Sequence, residues 1–192
     1  MVQHNMNQNI YLLQSDTTNY CTFTENYLDT EESIIGRAAS QNWKPFLNFH
    51  DPIYLELRKS DTGKLNYKFD FSSSLSPFFV ISDFAFEKLD DILSPRGQII
   101  PIVTKNKAKK FYGYYPTNAL SNCLNRELST YEIYQDKLLV ETPVLTKNSI
   151  SDEYLFSINE DISRVFVTEK FKNRIEHSRL LGFDFSIKIE TH

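Results

Sequence analysis

Residues 77–97 read PFFVISDFAFEKLDDILSPRG, and this stretch decides the fold class. The apolar run that begins the stretch is typical of a buried strand, and it ends at Ser82, a residue type that caps helices. A helix is predicted over Asp83–Leu93, with Phe86, Leu89 and Leu93 facing inward at i, i+3 and i+7 spacing. The helix is expected to end at Ser94-Pro-Arg-Gly97, because proline cannot continue it and glycine accepts a positive φ.

The same order of signals recurs near the C-terminus. Residues 164–167 predict a strand, and Thr168 is the expected cap of a helix over Glu169–Leu181. Gly182 is predicted to be the C′ residue of that helix, with a positive φ. Residues 183–189 alternate apolar and polar side chains and predict the last strand. The chain therefore contains two predicted strand–capped helix–strand units.

Shorter patterns fill the rest of the chain. The other predicted elements are a strand at 9–14, a hairpin of 53–57 with 67–71, strands at 99–104 and 110–115, a short helix from Thr117 or Asn118 to Leu124, and a strand pair from 131–134 and 137–147. These patterns predict an α+β fold with mixed or antiparallel sheets and a strand-rich N-terminal part. Residues 1–192 are expected to form a single compact unit, with a soft seam near 73–76.

The composition is that of a globular protein with few glycines. The 192 residues are 41% hydrophobic and 24% charged, with 15 Phe and 11 Tyr against 5 Gly. This balance is too apolar for disorder and leaves little material for glycine-dependent phosphate loops. Cys21 and Cys123 have no CxxC spacing and are predicted to be free, buried thiols in a reducing compartment. Neither a signal peptide nor a membrane-spanning run is apparent, so we expect a cytoplasmic protein.

No pattern predicts an enzyme, a metal site or a cofactor. The sequence lacks clustered Cys and His, glycine-rich nucleotide loops and a nucleophile elbow. His50 followed by Asp51 is the one pair that resembles a base and its orienting acid, and a loop His beside a turn-forming Asp is the favoured interpretation. Carboxylates far apart in the sequence could still gather into a catalytic site, so that alternative stays open.

Two features suggest binding surfaces. The first is the stretch from Lys105 to Tyr115, in which basic residues run into aromatic ones; a structural turn entering a half-buried strand is favoured over a nucleic-acid site. The second is a set of acidic residues, and the candidate binding residues are Asp29, Glu31, Glu32, Asp90 and Asp91. Residues 1–96 carry 13 acidic and 8 basic residues, whereas residues 97–192 carry 12 and 13. The acidic first half therefore suits a basic protein partner rather than nucleic acid.

The order of these junctions resembles an immunity-protein family of bacterial polymorphic toxin systems. The resemblance covers about residues 77–187 and is carried by the 77–97 stretch, by Tyr-Tyr-Pro-Thr-Asn at 114–118, by Val-Phe-Val-Thr-Glu-Lys-Phe-Lys at 165–172 and by Leu-Gly-Phe-Asp-Phe at 181–185. It implies a cytoplasmic protein that binds and neutralises a cognate protein toxin stoichiometrically, without membrane or nucleic acid. The alternatives are a small enzyme with a dispersed carboxylate site and a homo-oligomeric adaptor.

Overall fold

The computed structural model describes residues 9–26, 32–47, 49, 52–105, 109–135 and 137–192. It confirms the α+β class: about 40% of the described residues lie in strands and 20% in helices, and the sheets are mixed and antiparallel. The helices are α1 (Ile34–Gln41), α2 (Asp83–Leu93) and α3 (Glu169–Ser178).

The strands are short and occur along the whole described chain. In the first half they are β1 (Ile10–Leu12), β2 (Gln14–Ser15), β3 (Thr22–Glu25), β4 (Ile53–Arg58), β5 (Phe71–Ser72), β6 (Phe79–Ser82), β7 (Gly97–Ile100), β8 (Ile102–Thr104) and β9 (Phe111–Pro116). In the second half they are β10 (Ala119–Leu120), β11 (Thr130–Tyr134), β12 (Lys137–Thr142), β13 (Val144–Leu145), β14 (Leu155–Ile158), β15 (Asp161–Thr168), β16 (Phe183–Asp184) and β17 (Lys188–Thr191).

These strands form two larger sheets and three smaller ones. The larger sheets have the orders β10-β14-β15-β1-β17-β13 and β5-β6-β9-β7. The smaller ones are β3-β4-β8, β16-β2 and β11-β12. The main core lies between the four-stranded sheet, the three-stranded sheet, the helices and one face of the six-stranded sheet. A second cluster around Phe156 and Phe166 lies on the other face of the six-stranded sheet. The turn at 73–76 connects β5 and β6, which pair in one sheet.

The first strand–capped helix–strand unit is confirmed, with one correction to the helix phase. Ser82 Oγ accepts a hydrogen bond of 3.0 Å from the backbone N–H of Ala85. The buried face of α2 comprises Ala85, Leu89, Ile92 and Leu93. Phe79 is fully buried, as predicted, but Phe86 lies at the margin of this face and is only half-buried, with its ring 5.7 Å from that of Tyr112.

Gly97 ends the helical segment for a different reason from the one the sequence suggested. Its φ is −173°, which is extended backbone, and it begins β7 instead of occupying a left-handed cap. A Cβ at this position would lie 2.4 Å from the ring of Tyr114. The glycine is needed because β7 and the buried Tyr114 approach each other closely.

The second unit is also present, with corrections at both ends of its helix. Thr168 occupies the N-cap position, but its hydroxyl donates to the Glu153 carbonyl instead of capping α3. The helix ends at Ser178, and Arg179 takes the left-handed conformation with φ 54°, so Gly182 is not the C′ residue. Gly182 does have a positive φ of 91°. The expected strand 183–189 is divided into β16 and β17, which belong to different sheets.

Three further predictions are wrong in their pairing or type. The hairpin of 53–57 with 67–71 does not form, because both edges of β4 are occupied, by β3 and by β8. The strand 99–104 is divided at Pro101, which lacks an N–H for a continuous ladder, into β7 and β8. The helix expected at 117–124 is absent, because residues 119–120 pair in parallel with β14. The side-chain amide of Asn118 also donates to the Glu153 carboxylate and to the Leu155 carbonyl.

Replacing Gly182 by alanine should lower the free energy of unfolding by about 2 kcal/mol or more, because a left-handed φ and a collision act together. The new Cβ would meet Phe69 Cβ at 2.9 Å and the Phe71 carbonyl oxygen at 3.0 Å. Gly63 provides the matched control, since it has a φ of 77° but no atom within 4 Å of the position that a Cβ would take. Gly63→Ala should therefore lose only about 1 kcal/mol in urea titrations. Equal losses in the two variants would contradict the close packing at Gly182.

Candidate protein-binding surface

The hairpin of β11 and β12 forms a sheet of its own. The two strands pair in antiparallel register from Tyr131 opposite Val140 to Tyr134 opposite Lys137, with an irregularity between Thr130 and Tyr131. Gln135 follows β11 with a positive φ of 46°, as a tight hairpin turn requires. A two-stranded hairpin is marginally stable alone, so its position depends on contacts with the rest of the protein.

The hairpin carries apolar side chains on both of its faces. Residues directly opposite each other share a face, so one face contains Tyr131, Ile133, Leu138 and Val140. The other contains Glu132 opposite Leu139 and Tyr134 opposite Lys137. Only one face of a hairpin can lie on the core, and here only Val140 packs against the second cluster. Of the other apolar residues, Tyr131 and Leu138 are half-buried, whereas Ile133, Tyr134 and Leu139 are exposed and available to a partner.

The exposed fractions show how much apolar surface remains uncovered. Ile133 is 71% exposed, Tyr134 61% and Leu139 50%. Leu128, just before β11, is 50% exposed, and Ile162, which lines a cavity with Leu138 and Leu139, is 39% exposed. Large exposed aromatic and aliphatic side chains on one element are typical of protein-binding surfaces, where tyrosine often makes a large contribution to affinity.

Arg164 of β15 holds the base of the hairpin. Its Nη1 donates to the Val140 carbonyl at 2.8 Å, and its Nη2 donates to the Glu141 carbonyl at 3.1 Å. The same Nη1 lies 2.6 Å from Oδ2 of Asp161, whose side chain is only 4% exposed. The other carboxylate oxygen of Asp161 accepts from the backbone N–H and hydroxyl of Ser163. The guanidinium is therefore fixed in orientation, and it fixes β12 in turn.

A cavity of about 690 Å³, named here the hairpin groove, lies between the hairpin and the rest of the protein. Its lining includes Asn42, Asn122, Arg126, Lys137, Leu138 and Glu160. Glu160 Oε2 is buried and has no hydrogen-bond partner among the described residues. A buried carboxylate oxygen without a donor is energetically unfavourable, so this side chain would be stabilised by an N–H or ammonium donor that reaches it.

Both cysteines are free and buried, as the sequence predicted. Burial, reinforced by the negative charge of Glu160, raises the pKa of the Cys123 thiol to about 11. Burial also raises the pKa of the Cys21 thiol. A thiol with a raised pKa is protonated at neutral pH and is a poor nucleophile, which fits a packing role for both residues.

Of the acidic residues predicted as binding sites, the structure describes Glu32, Asp90 and Asp91. Asp29 and Glu31 fall outside the described residues, and Glu32 is exposed just before α1. Asp90 and Asp91 are exposed on α2, where Asp90 accepts a hydrogen bond from Ser94 Oγ and Asp91 pairs with Arg174 of α3 at 2.7 Å. Asp91 therefore links two helices, and the role of this set in binding stays a prediction.

Most of the described residues in the basic and aromatic stretch at 105–115 form ion pairs or are buried. Lys105 pairs with Glu56 at 2.6 Å and Lys109 with Asp70 at 2.6 Å. Phe111, Tyr114 and Tyr115 are buried, so these rings present no open face to a nucleic-acid base. This arrangement agrees with the structural interpretation of the stretch.

Three other features considered in the sequence are the His50–Asp51 pair, metal ligands and membrane-spanning helices. His50 and Asp51 lie outside the described part of the chain. Within it, no three His, Cys, Asp or Glu side chains come together as metal ligands. In the same residues, no helix has the length and apolar character needed to cross a membrane.

Sequence reasoning predicted the two strands of the hairpin but not their role. The signal was present, because apolar residues occupy positions on both faces of the pair, whereas a solvated hairpin needs them on one face only.

Comparison with known protein families finds no family model that matches the chain, and comparison with curated proteins finds no similar sequence.

Arg164→Lys should loosen the hairpin while the core stays intact. Lysine keeps the charge beside Asp161, but one ammonium group cannot also reach two neighbouring carbonyls in the geometry of the guanidinium. Loss of the charged bonds to these carbonyls should cost about 1–3 kcal/mol of local stability. Amide hydrogen exchange in 130–134 and 137–142 should therefore accelerate.

Arg58→Lys is the control for this substitution, because Arg58 forms the exposed ion pair with Asp61 at 3.4 Å. It should leave hydrogen exchange of the hairpin unchanged. Equal exchange rates in the wild-type chain and the Arg164→Lys variant would contradict the role of Arg164.

Proposed function

We propose that this chain is an immunity-type protein, which binds a cognate bacterial toxin stoichiometrically and neutralises it in the cytoplasm. The observation that carries the proposal is the exposed apolar hairpin, which is held by Arg164 and Asp161 and stands beside a groove with a buried, unpartnered acceptor. The resemblance of residues 77–187 to an immunity-protein family supports the same role.

The chain exposes ample surface for an interface of standard size. A standard interface covers about 800 Å² on each partner, which is a small part of the 11273 Å² that the chain exposes. An arm fixed before binding loses little conformational freedom in the complex, and affinity increases accordingly. Tyr134 and Ile133 would supply the apolar anchors, and Glu160 would accept a donor from the toxin.

The predicted acidic residues are further candidates for attracting the same partner. Glu32 and Asp90 are exposed, and Asp29 and Glu31 add to the negative charge of the first half of the sequence. Such charges would accelerate the encounter with a basic toxin, while the hairpin would provide the contact that stabilises the complex.

One observation favours the alternative of a small enzyme with dispersed carboxylates. Glu160, Arg126 and Lys137 line the same groove, so an unpartnered carboxylate and two cations share one cavity. Glu160→Gln separates the two functions, because a catalytic carboxylate does not tolerate the change, whereas a binding groove keeps one side-chain oxygen as an acceptor.

The proposed function is tested by co-expression with a cognate toxin domain, which the proposal expects a neighbouring gene to encode. The wild-type chain should protect cells and form a stoichiometric complex on size-exclusion chromatography. Tyr134→Ala should weaken the complex by about 30-fold or more, as expected for a tyrosine at the centre of an interface. Tyr54→Ala is the matched control, since Tyr54 is 54% exposed on a different sheet, and it should bind like the wild-type chain.

Death of cells that contain the folded protein, with no complex, would refute the immunity role. Protection without a complex, abolished by Glu160→Gln, would support the enzyme instead. Sedimentation of the chain alone tests the third alternative, because a homo-oligomeric adaptor should self-associate without the toxin.

A further inference from the structure

The outer edge of β11 has backbone groups without partners. Arg164 binds the Val140 carbonyl from outside the hairpin, so this carbonyl points away from β11. Along each strand of an antiparallel pair, residues whose N–H and C=O bond to the partner strand alternate with residues whose N–H and C=O point outward. Two residues directly opposite each other are of the same kind. Tyr131, opposite Val140, and Ile133, two residues further along, therefore direct their N–H and C=O groups outward. Among the described residues, neither has a backbone hydrogen bond outside the hairpin.

The two edges of the hairpin differ in accessibility. Arg164 occupies the Val140 and Glu141 carbonyls of β12, and the hairpin groove lies beside Leu138. A strand approaching β12 would have to displace a guanidinium that is paired with a buried carboxylate. The edge of β11 has no such obstacle among the described residues. An unprotected strand edge is a template for a further strand.

We propose that β11 accepts an extended segment of the partner protein as a third antiparallel strand, and that this segment alternates apolar residues with lysine or arginine. The inference rests on the proposed function, because it names the part of the partner that binds. Tyr131 and Ile133 would each exchange two backbone hydrogen bonds with the incoming strand, as in other cases of strand addition.

The side chains of β11 define the chemistry of the incoming strand. Residues opposite Tyr131 and Ile133 would extend the apolar face and cover Ile133, which is 71% exposed. A residue opposite Glu132 would lie on the other face. Glu132 is exposed, faces Leu139 across the hairpin and has no ion-pair partner among the described residues. A cation in the incoming strand would supply that partner.

The net charge of residues 126–142 also favours a basic incoming strand. Residues 126–142 contain four acidic and two basic residues, so the hairpin is negative overall. An acidic edge attracts a basic segment and repels an acidic one, which gives selectivity as well as faster association.

A second copy of this chain fits the same edge poorly. A symmetric antiparallel pairing that used the outward groups would place Tyr131 opposite Ile133 of the other copy, and would place Glu132 opposite Glu132. Like charges directly opposite each other destabilise a sheet. The edge therefore favours a different, basic partner over self-association.

A capped nonapeptide of alternating valine and lysine is a suitable probe, read out by amide hydrogen exchange in the labelled full chain. At saturating peptide, exchange of the Tyr131 and Ile133 amides should slow by about tenfold or more, because both become hydrogen-bonded. The Leu138 and Val140 amides should be unaffected. A peptide with glutamate in place of lysine should not bind.

Two matched proline variants distinguish the edges. Ile133→Pro and Leu138→Pro each remove one outward N–H, a position where a strand tolerates proline. Peptide binding should be lost in Ile133→Pro and retained in Leu138→Pro. Glu132→Lys leaves the backbone intact and should reverse the preference, so that the glutamate peptide binds and the lysine peptide does not; this variant gives the answer if a proline variant fails to fold.

Protection at Leu138 and Val140, equal behaviour of the two proline variants, or absence of protection at Tyr131 and Ile133 would each overturn the inference. A dimer of the free chain that Ile133→Pro abolishes would also overturn it, in favour of a second copy as the occupant. The outcome is separable from the proposed function. Toxin protection that survives Ile133→Pro would refute strand addition alone, whereas peptide binding without toxin protection would refute the immunity role alone.

Discussion

A buried carboxylate, that of Asp70, joins segments that are far apart in the sequence. Its Oδ1 accepts hydrogen bonds from Ser82 Oγ at 2.7 Å and Lys109 Nζ at 2.6 Å, and its Oδ2 accepts from the Leu181 N–H at 2.9 Å. Ser82 also caps α2, and Leu181 follows α3, so this one side chain fixes both strand–helix–strand units relative to each other. Asp70 is only 5% exposed, and a buried charge is retained in a fold only when it is fully paired and hydrogen-bonded. The positions of α2 and α3 therefore depend on the same carboxylate.

Asp161 and Arg164 fix the hairpin to the rest of the protein in a similar way. In both places a nearly buried aspartate orients a cation, and the cation or its neighbours bind backbone groups of a distant segment. The difference lies in what the segment covers. The Asp70 site closes the main core, whereas the Asp161 site holds an arm on which Ile133, Tyr134 and Leu139 remain exposed to solvent. An arm held in this way is ordered before its partner arrives, and this favours tight binding over adaptable binding.

Local signals in the sequence predicted the Ser82 cap and α2 correctly, but they were wrong about a cap at Thr168, the C′ residue of α3 and a helix at 117–124. The Ser82 cap, the apolar face of α2 and the two strand–helix–strand units all depend on residues a few positions apart. Pairing between distant segments was not predictable in the same way: the occupied edges of β4, the parallel pairing of residues 119–120 and the Asp70 site are set by the tertiary fold. The same holds for the candidate surface. The strands of the hairpin were predictable from local signals, but the isolation and exposure of the hairpin depend on which strands pair elsewhere.

Hydrogen-exchange mass spectrometry of the chain with and without the toxin domain tests the central claim most directly. The claim is that the fixed hairpin, rather than the acidic residues on α2 or before α1, provides the main contact. We expect protection to be concentrated in residues 128–142, with the peptides that contain Asp90 and Asp91 unchanged. Protection centred on α2 or on the segment around Glu32, with the hairpin still exchanging freely in the complex, would contradict the account.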